Sequence, residues 1–241
     1  MILERQDPYG ILRPMASSLL TTFLPERCLV CSDREQVTRG VCNRCRSLIR
    51  RLDAPLCEVC GRPVGTPGVC LACLHNPPPF DRMVSACVYE GLIQDIIHQF
   101  KYRRATVFSK FLAGLIAERL AADCESPDLV TAVPLHWSRL IQRGYNQSML
   151  IARELSGYIG GVVRYDVLRK TRKTPSQVGL PKADRERNLD RVFTAAGVKG
   201  RSIVVVDDVI TTGRTAREVS RALRHAGAER VVFASVGRTV S

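Results

Sequence analysis

The sequence predicts an α/β protein, with a mainly parallel sheet flanked by helices behind a small cysteine-rich head. Three observations carry this. From Phe80 onward, aliphatic runs of strand length alternate with segments of helical periodicity, the pattern of strands joined by crossover helices. Within that part, residues 203–206 read Ile-Val-Val-Val, the unbroken apolar run that a strand covered on both faces requires. Before residue 74, eight of the ten cysteines fall in four Cys-x-x-Cys pairs, which sets that stretch apart as a separate unit.

The chain has 241 residues, 45% of them hydrophobic, and a formal net charge of +13. That is ample apolar material for a core. The basic balance favours phosphate-bearing partners, whether a small molecule or a nucleic acid. No run of about 18 uncharged apolar residues occurs, so no membrane span is expected. Residues 15–24 lack the basic lead and small-residue cleavage site of a signal peptide, so the reducing cytoplasm is the expected setting.

Residues 1–24 form an N-terminal segment to which no function is assigned, and residues 25–76 form the head. Its pairs are Cys28/Cys31, Cys42/Cys45, Cys57/Cys60 and Cys70/Cys73, with ten residues between the first two and nine between the last two. One Cys-x-x-Cys pair brings two thiolates onto an ion, and two pairs complete a tetrahedron. Successive pairs therefore predict two zinc sites of four thiolates each, in a double zinc ribbon. A closed thiolate shell leaves no position for water, so the metal serves folding rather than catalysis. Cross-braced pairing, redox dithiols, disulfides and His75 as a substitute ligand are the other readings of this spacing.

Pro77-Pro78-Pro79 marks a boundary, and residues 80–241 form the second unit. Strands are expected at 83–89, 129–133, 162–168, 202–206 and 230–236. Helices are expected at 92–102, 107–122 and 215–225, with a turn and a helix over 143–158. Trp137 is expected to pack beneath the loop that follows Pro134. Residues 169–193 are polar, basic and broken by Pro175 and Pro181. A stretch this long without regular structure is functional or disordered.

The chemistry concentrates after the aliphatic run. Asp207 and Asp208 stand where that strand should leave its sheet, and Thr211, Thr212, Gly213, Arg214 and Thr215 lead into a helix. A Gly- and Thr-rich turn at a helix N-terminus offers N–H groups, hydroxyls and the positive end of the dipole to a phosphate. Adjacent carboxylates can accept hydrogen bonds from two neighbouring ribose hydroxyls. The combination describes a pocket for a ribose 5-phosphate. No Gly-Lys-Ser/Thr run is present, which argues against a nucleoside triphosphate cradle. A second strand ends at Pro134 and turns through Leu135 and His136, where backbone amides can face an anion. Arg139 and Arg143 could add planar forks for phosphate oxygens.

The string of aliphatics, Asp-Asp, two apolar residues and Thr-Thr-Gly-x-Thr resembles the phosphoribosyl pyrophosphate (PRPP) loop of type I phosphoribosyltransferases. With the paired knuckles, Cys60-Gly61-Arg62-Pro63, Phe80-Asp81, Phe100-Lys101-Tyr102 and Arg143-Gly144-Tyr145-Asn146-Gln147, the chain from about Phe23 onward resembles the ComF-type competence proteins. Ser32 stands where a Gly often follows the second cysteine. The resemblance implies a type I phosphoribosyltransferase-like fold, Mg²⁺ carried with PRPP, and a pyrophosphate site at Leu135, His136 and Arg139. It further implies catalytic roles for Asp207, Asp208, Lys101 and Arg143, and a hood over the site carrying Arg169, Lys173, Gln177 and Arg185. It also implies uptake of single-stranded DNA with a helicase partner. Two functions follow as expectations: an active transferase releasing pyrophosphate, or a non-catalytic DNA-uptake module that uses the same pocket to sense PRPP.

Overall fold

The computed structural model describes residues 27–53, 55–103, 105–121, 126–135, 137–171 and 192–240. The head contains the hairpin β1 (Val37–Thr38) and β2 (Val41–Cys42), then α1 (Asn43–Ser47) and α2 (Leu71–His75). There follow β3 (Arg82–Val88), α3 (Gly91–Tyr102), a 3-10 turn at Thr106–Phe108, α4 (Ser109–Leu120) and β4 (Leu129–Ala132). Next come α5 (Trp137–Arg143), α6 (Gln147–Ile159), β5 (Val162–Val163), β6 (Leu168–Lys170) and β7 (Phe193–Ala195). The chain closes with β8 (Ser202–Ile210), α7 (Arg214–His225) and β9 (Arg230–Arg238). Among the described residues, no helix is long and apolar enough to cross a membrane.

The expected parallel sheet is present, in the order β3-β9-β8-β4-β5, with every neighbouring pair parallel. Because successive side chains of a strand point to opposite faces, the aliphatic run of β8 feeds two cores. Val204 and Val206 join one that holds α3, α4 and α6, while Ile203 and Val205 join one that holds α7 and the β6–β7 ribbon. Both faces are covered, which is why the run is apolar without alternation. The head straddles the sheet. Cys28, Cys42 and Cys45 pack into the first core, and Cys57, Cys60 and Cys73 into the second.

The head also covers the edge strand. Residues 50–52 run antiparallel along β3, with Val88 N–H donating to Arg50 O at 2.9 Å and Leu52 N–H to Ala86 O at 3.4 Å. Met83 N–H donates to Val59 O at 2.8 Å. An uncovered edge presents unpaired backbone groups to other chains, and here those groups are spoken for.

Four sequence expectations are corrected. The strand expected to stop at 206 runs on to Ile210, because β9 supplies partners as far as Arg238. Both acids therefore lie within the sheet rather than beyond it. The single strand expected at 162–168 is two: β5 joins the main sheet, and β6 pairs antiparallel with β7. Between them Arg164 holds Asp166 through two hydrogen bonds of 2.7 Å, which folds the chain at that point. The stretch expected to be irregular from 169 to 193 has an ordered base, since Leu168 and Phe193 are buried on the α7 face. Trp137 is 66% exposed rather than packed under a loop, and it opens the helix α5 that follows Pro134.

Candidate functional site

The site forms at the carboxyl ends of β4 and β8, where parallel sheets place ligands. Asp207 stands opposite Ser235 of β9 and is half-buried. One of its oxygens, Oδ1, accepts from Ser148 Oγ at 3.2 Å and from the Asp208 N–H at 2.9 Å. Burial, then the charge of Asp208, push the Asp207 carboxyl up to about 7 against those donors and Lys101. Asp208 is only 9% exposed. Its Oδ1 lies 2.8 Å from Lys101 Nζ, so the buried charge is paired, as a buried carboxylate must be.

Immediately beyond, Thr211, Thr212 and Gly213 make the turn into α7. Gly213 is the N-cap in the left-handed region at φ 73, a conformation glycine enters at no steric cost. Thr212 Oγ1 accepts from Arg214 N–H at 3.4 Å. The first turn of α7 carries no acid to offset its dipole. Asp207, Ile210, Thr211, Gly213 and Thr215 line a cavity of about 40 Å³, room for an anion of a few atoms.

Lys101 and Arg143 reach this end from other elements, held by a lattice the sequence did not disclose. Asn146 caps α6, accepting from Met149 N–H at 3.4 Å and donating through Nδ2 to Val133 O at 3.0 Å. Tyr145 OH donates to Phe100 O, and Gln147 Nε2 to Lys101 O at 3.5 Å. Arg143 donates to Gln147 Oε1 at 3.1 Å and to Tyr102 OH at 3.3 Å, with its guanidinium 5.0 Å from the Tyr102 ring centre. The Arg143–Gln147 motif thus ties the end of α3 to the end of β4, and seats Lys101 on Asp208. Ser148, one residue further on, was missed. Its signal was its place in the first turn of an Asn-capped helix beside the motif. Of the remaining expected residues, Leu135 follows β4 and is half-buried, while Arg169 is exposed on β6. His136, the Arg139 side chain, Lys173, Gln177 and Arg185 lie outside the described residues.

The cysteines gather as successive pairs, Cys28/Cys31/Cys42/Cys45 and Cys57/Cys60/Cys70/Cys73, with all four sulfurs of each set within 4.8 Å. Cross-bracing is thereby excluded, and among the described residues His75 joins neither set. Cys31 and Cys42 sulfurs lie 3.6 Å apart, and Cys60 and Cys70 sulfurs 3.7 Å. A disulfide requires about 2 Å, whereas the edge of a zinc–thiolate tetrahedron is about 3.8 Å. Backbone amides aim at the sulfurs: Cys42 N–H lies 3.4 Å from Cys28 Sγ, and Cys70 N–H 3.2 Å from Cys57 Sγ. Burial opposes ionisation of these two thiols, but the N–H donors prevail and pull each down to about 6. Both sets fit a structural zinc ion.

Comparison with known proteins matches a double zinc ribbon domain to residues 19–74 and a phosphoribosyl transferase domain to residues 142–238. The chain is 34% identical over 208 residues to the DNA utilization protein YhgH of Salmonella typhi, covering 83% of this chain and 91% of that one. It is 31% identical over 223 residues to competence protein F of Haemophilus influenzae, covering 88% and 96%. It is 22% identical over 201 residues to competence protein ComFC of Bacillus subtilis, covering 78% and 79%.

Proposed function

We propose that this chain, which belongs to the ComF-type competence protein family, binds PRPP with Mg²⁺ at the turn between β8 and α7 and transfers its phosphoribosyl group. The observation that carries this is the pairing of Asp207 and Asp208 with an acid-free helix start at Gly213, inside a phosphoribosyl transferase domain. Thr211, Thr212 and the amides that follow Gly213 hold the 5-phosphate, which fixes C1 without taking part in the chemistry. Asp207 and Asp208 accept from the ribose hydroxyls. They also favour the positive charge that develops on the ring as the C1–O bond breaks and a nitrogen nucleophile forms a bond to C1. Pyrophosphate leaves with the bonding electrons. Mg²⁺ arriving with PRPP supplies charge that offsets the build-up on the leaving group. Lys101 and Arg143 stand at the same end as further cations.

Thermal unfolding tests the binding step. PRPP with Mg²⁺ should raise the melting temperature of the wild type, and the Asp207→Asn/Asp208→Asn variant should show no such rise. An equal rise in both would sink the assignment. Pyrophosphate release over a panel of nitrogenous bases then tests the transfer.

The relatives' names, a DNA utilization protein and a competence protein, with the net charge of +13, favour a second reading. In it the chain acts in the uptake of single-stranded DNA beside a helicase partner, and the pocket senses PRPP. Single-strand affinity should then fall steeply with added salt. Absence of binding at low salt would leave only a role through the protein partner.

A further inference from the structure

The second four-cysteine knuckle (Cys57, Cys60, Cys70 and Cys73, where the first is Cys28, Cys31, Cys42 and Cys45) is built into the same packed unit as the phosphate turn, and two residues outside every expected site make the connection. Arg238 ends β9 and is 5% exposed. It pairs in register with Ile210, the last residue before the turn, and Thr239 N–H donates to Ile210 O at 3.0 Å. Its Nη1 donates to Cys60 O at 2.6 Å and meets Met83 Sδ at 3.4 Å. Among the described residues it has no carboxylate partner. The charge that suits a buried guanidinium here is that of the knuckle itself, since four thiolates around one Zn²⁺ carry a formal excess of two negative charges.

Met83 is the second connection. Its N–H donates to Val59 O at 2.8 Å. Its carbonyl oxygen lies 2.5 Å from where a Cβ on Gly61 would stand, and its Cε 3.5 Å from where a Cβ on Gly213 would stand. One residue thus meets the cysteine knuckle through its backbone and the N-cap of α7 through its side chain. Among the described residues the first knuckle has no such link to the turn. It rests on α4, where Arg39, Arg46 and Arg51 all reach Glu118 at 2.7 to 3.0 Å.

We propose that Arg238 and Met83 couple the metal at Cys57, Cys60, Cys70 and Cys73 to the phosphate turn, so that this ion and not the first sets how firmly the turn is organised. The two states that coupling needs are the metal-bound knuckle and the metal-free one, since a unit this small folds around its ion. The consequence for ligand affinity rests on the PRPP assignment above, but the coupling itself does not. Arg238 is a positioning residue toward both the metal and the turn.

The test uses the full chain loaded with two zinc ions, compared with Arg238→Lys and Cys70→Ser. Hydrogen exchange across residues 209–216 reads the turn without any ligand, and α4 serves as the internal reference for folding. Chelator-driven release reads the two ions separately. Arg238→Lys should speed release of one ion tenfold or more, leave the other unchanged, and accelerate exchange in the turn but not in α4. Cys70→Ser should accelerate exchange in the turn further, whereas Cys31→Ser should not. By reciprocity, PRPP with Mg²⁺ should raise the affinity for that same ion, read in a competition titration with the chelator. Unchanged exchange in the turn of Arg238→Lys and Cys70→Ser, with α4 protected, overturns the coupling. If the turn responds and wild-type protein does not bind PRPP, the coupling stands and the PRPP assignment falls.

Discussion

In the first knuckle the residue after the second cysteine is Ser32, at φ 63; in the second it is Gly61, also at φ 63. The backbone demand is the same, and only one position meets it with a glycine. The surroundings explain why. Ser32 is exposed, with space for its side chain. A Cβ on Gly61 would press into the Met83 carbonyl at 2.5 Å. The first knuckle can carry a strained residue because it leans on α4 through side-chain ion pairs. The second cannot, because it meets the sheet backbone to backbone. Two copies of one motif have thus been fitted to different duties, one to a helix surface and one to the strand edge beside the turn into α7.

The largest expected effect breaks the closer contact. Gly61→Ala should cost about 2–4 kcal/mol in denaturant unfolding, from the clash together with the left-handed backbone. A loss as small as that of a surface substitution would mean the second knuckle is not packed as described. Two acids, one at the candidate site and one beneath the first knuckle, should respond in opposite directions. Asp207 sits with its carboxyl raised to about 7 by burial and by Asp208, so folding holds its proton more tightly than the unfolded chain does. Its contribution is an added cost as pH rises from about 4 to about 7, and the full cost is present above that. Asp207→Asn should therefore stabilise the ligand-free protein at pH 8 by about 2 kcal/mol, with the gain vanishing near pH 4.

Glu118 is the contrary case. Burial alone would raise its carboxyl, but the guanidinium groups of Arg51 and Arg46 outweigh that and hold it low. Its stabilisation is present above the ordinary glutamate range and is lost as pH falls through the depressed value. Glu118→Gln should cost about 1 kcal/mol at pH 7, a modest figure because the cluster is part-exposed. It should also loosen the first zinc ion alone, which chelator-driven release would show. The smallest effect is Ser32→Gly, expected to raise stability by about 1 kcal/mol through relief of the left-handed serine. A loss on this change would show that the Ser32 side chain has a role its exposure does not suggest.

What could be read from the sequence was what is local. The aliphatic run, the glycine at the N-cap of α7 and the cysteine spacings each specify their own geometry within a few residues, and β8, the turn and both sulfur clusters appear accordingly. What stayed hidden depends on partners far along the chain. The extension of β8 through both acids needs the final residues of β9 beside it. The Lys101–Asp208 pair needs α3 delivered by Tyr145 and Gln147. Arg238, three residues from the end, has nothing in its own neighbourhood to announce that it is buried against a cysteine knuckle 178 positions away. Periodicity places the strands, but it cannot say which backbone carbonyl a distant guanidinium will find.

The most direct test of the central claim is the crystal structure of this chain with PRPP and Mg²⁺. The 5-phosphate should lie within hydrogen-bonding distance of the amides that follow Gly213 and the hydroxyls of Thr211, Thr212 or Thr215, with the ribose hydroxyls on Asp207 and Asp208. Density for the sugar phosphate at any other place, with that turn left empty, would contradict the account.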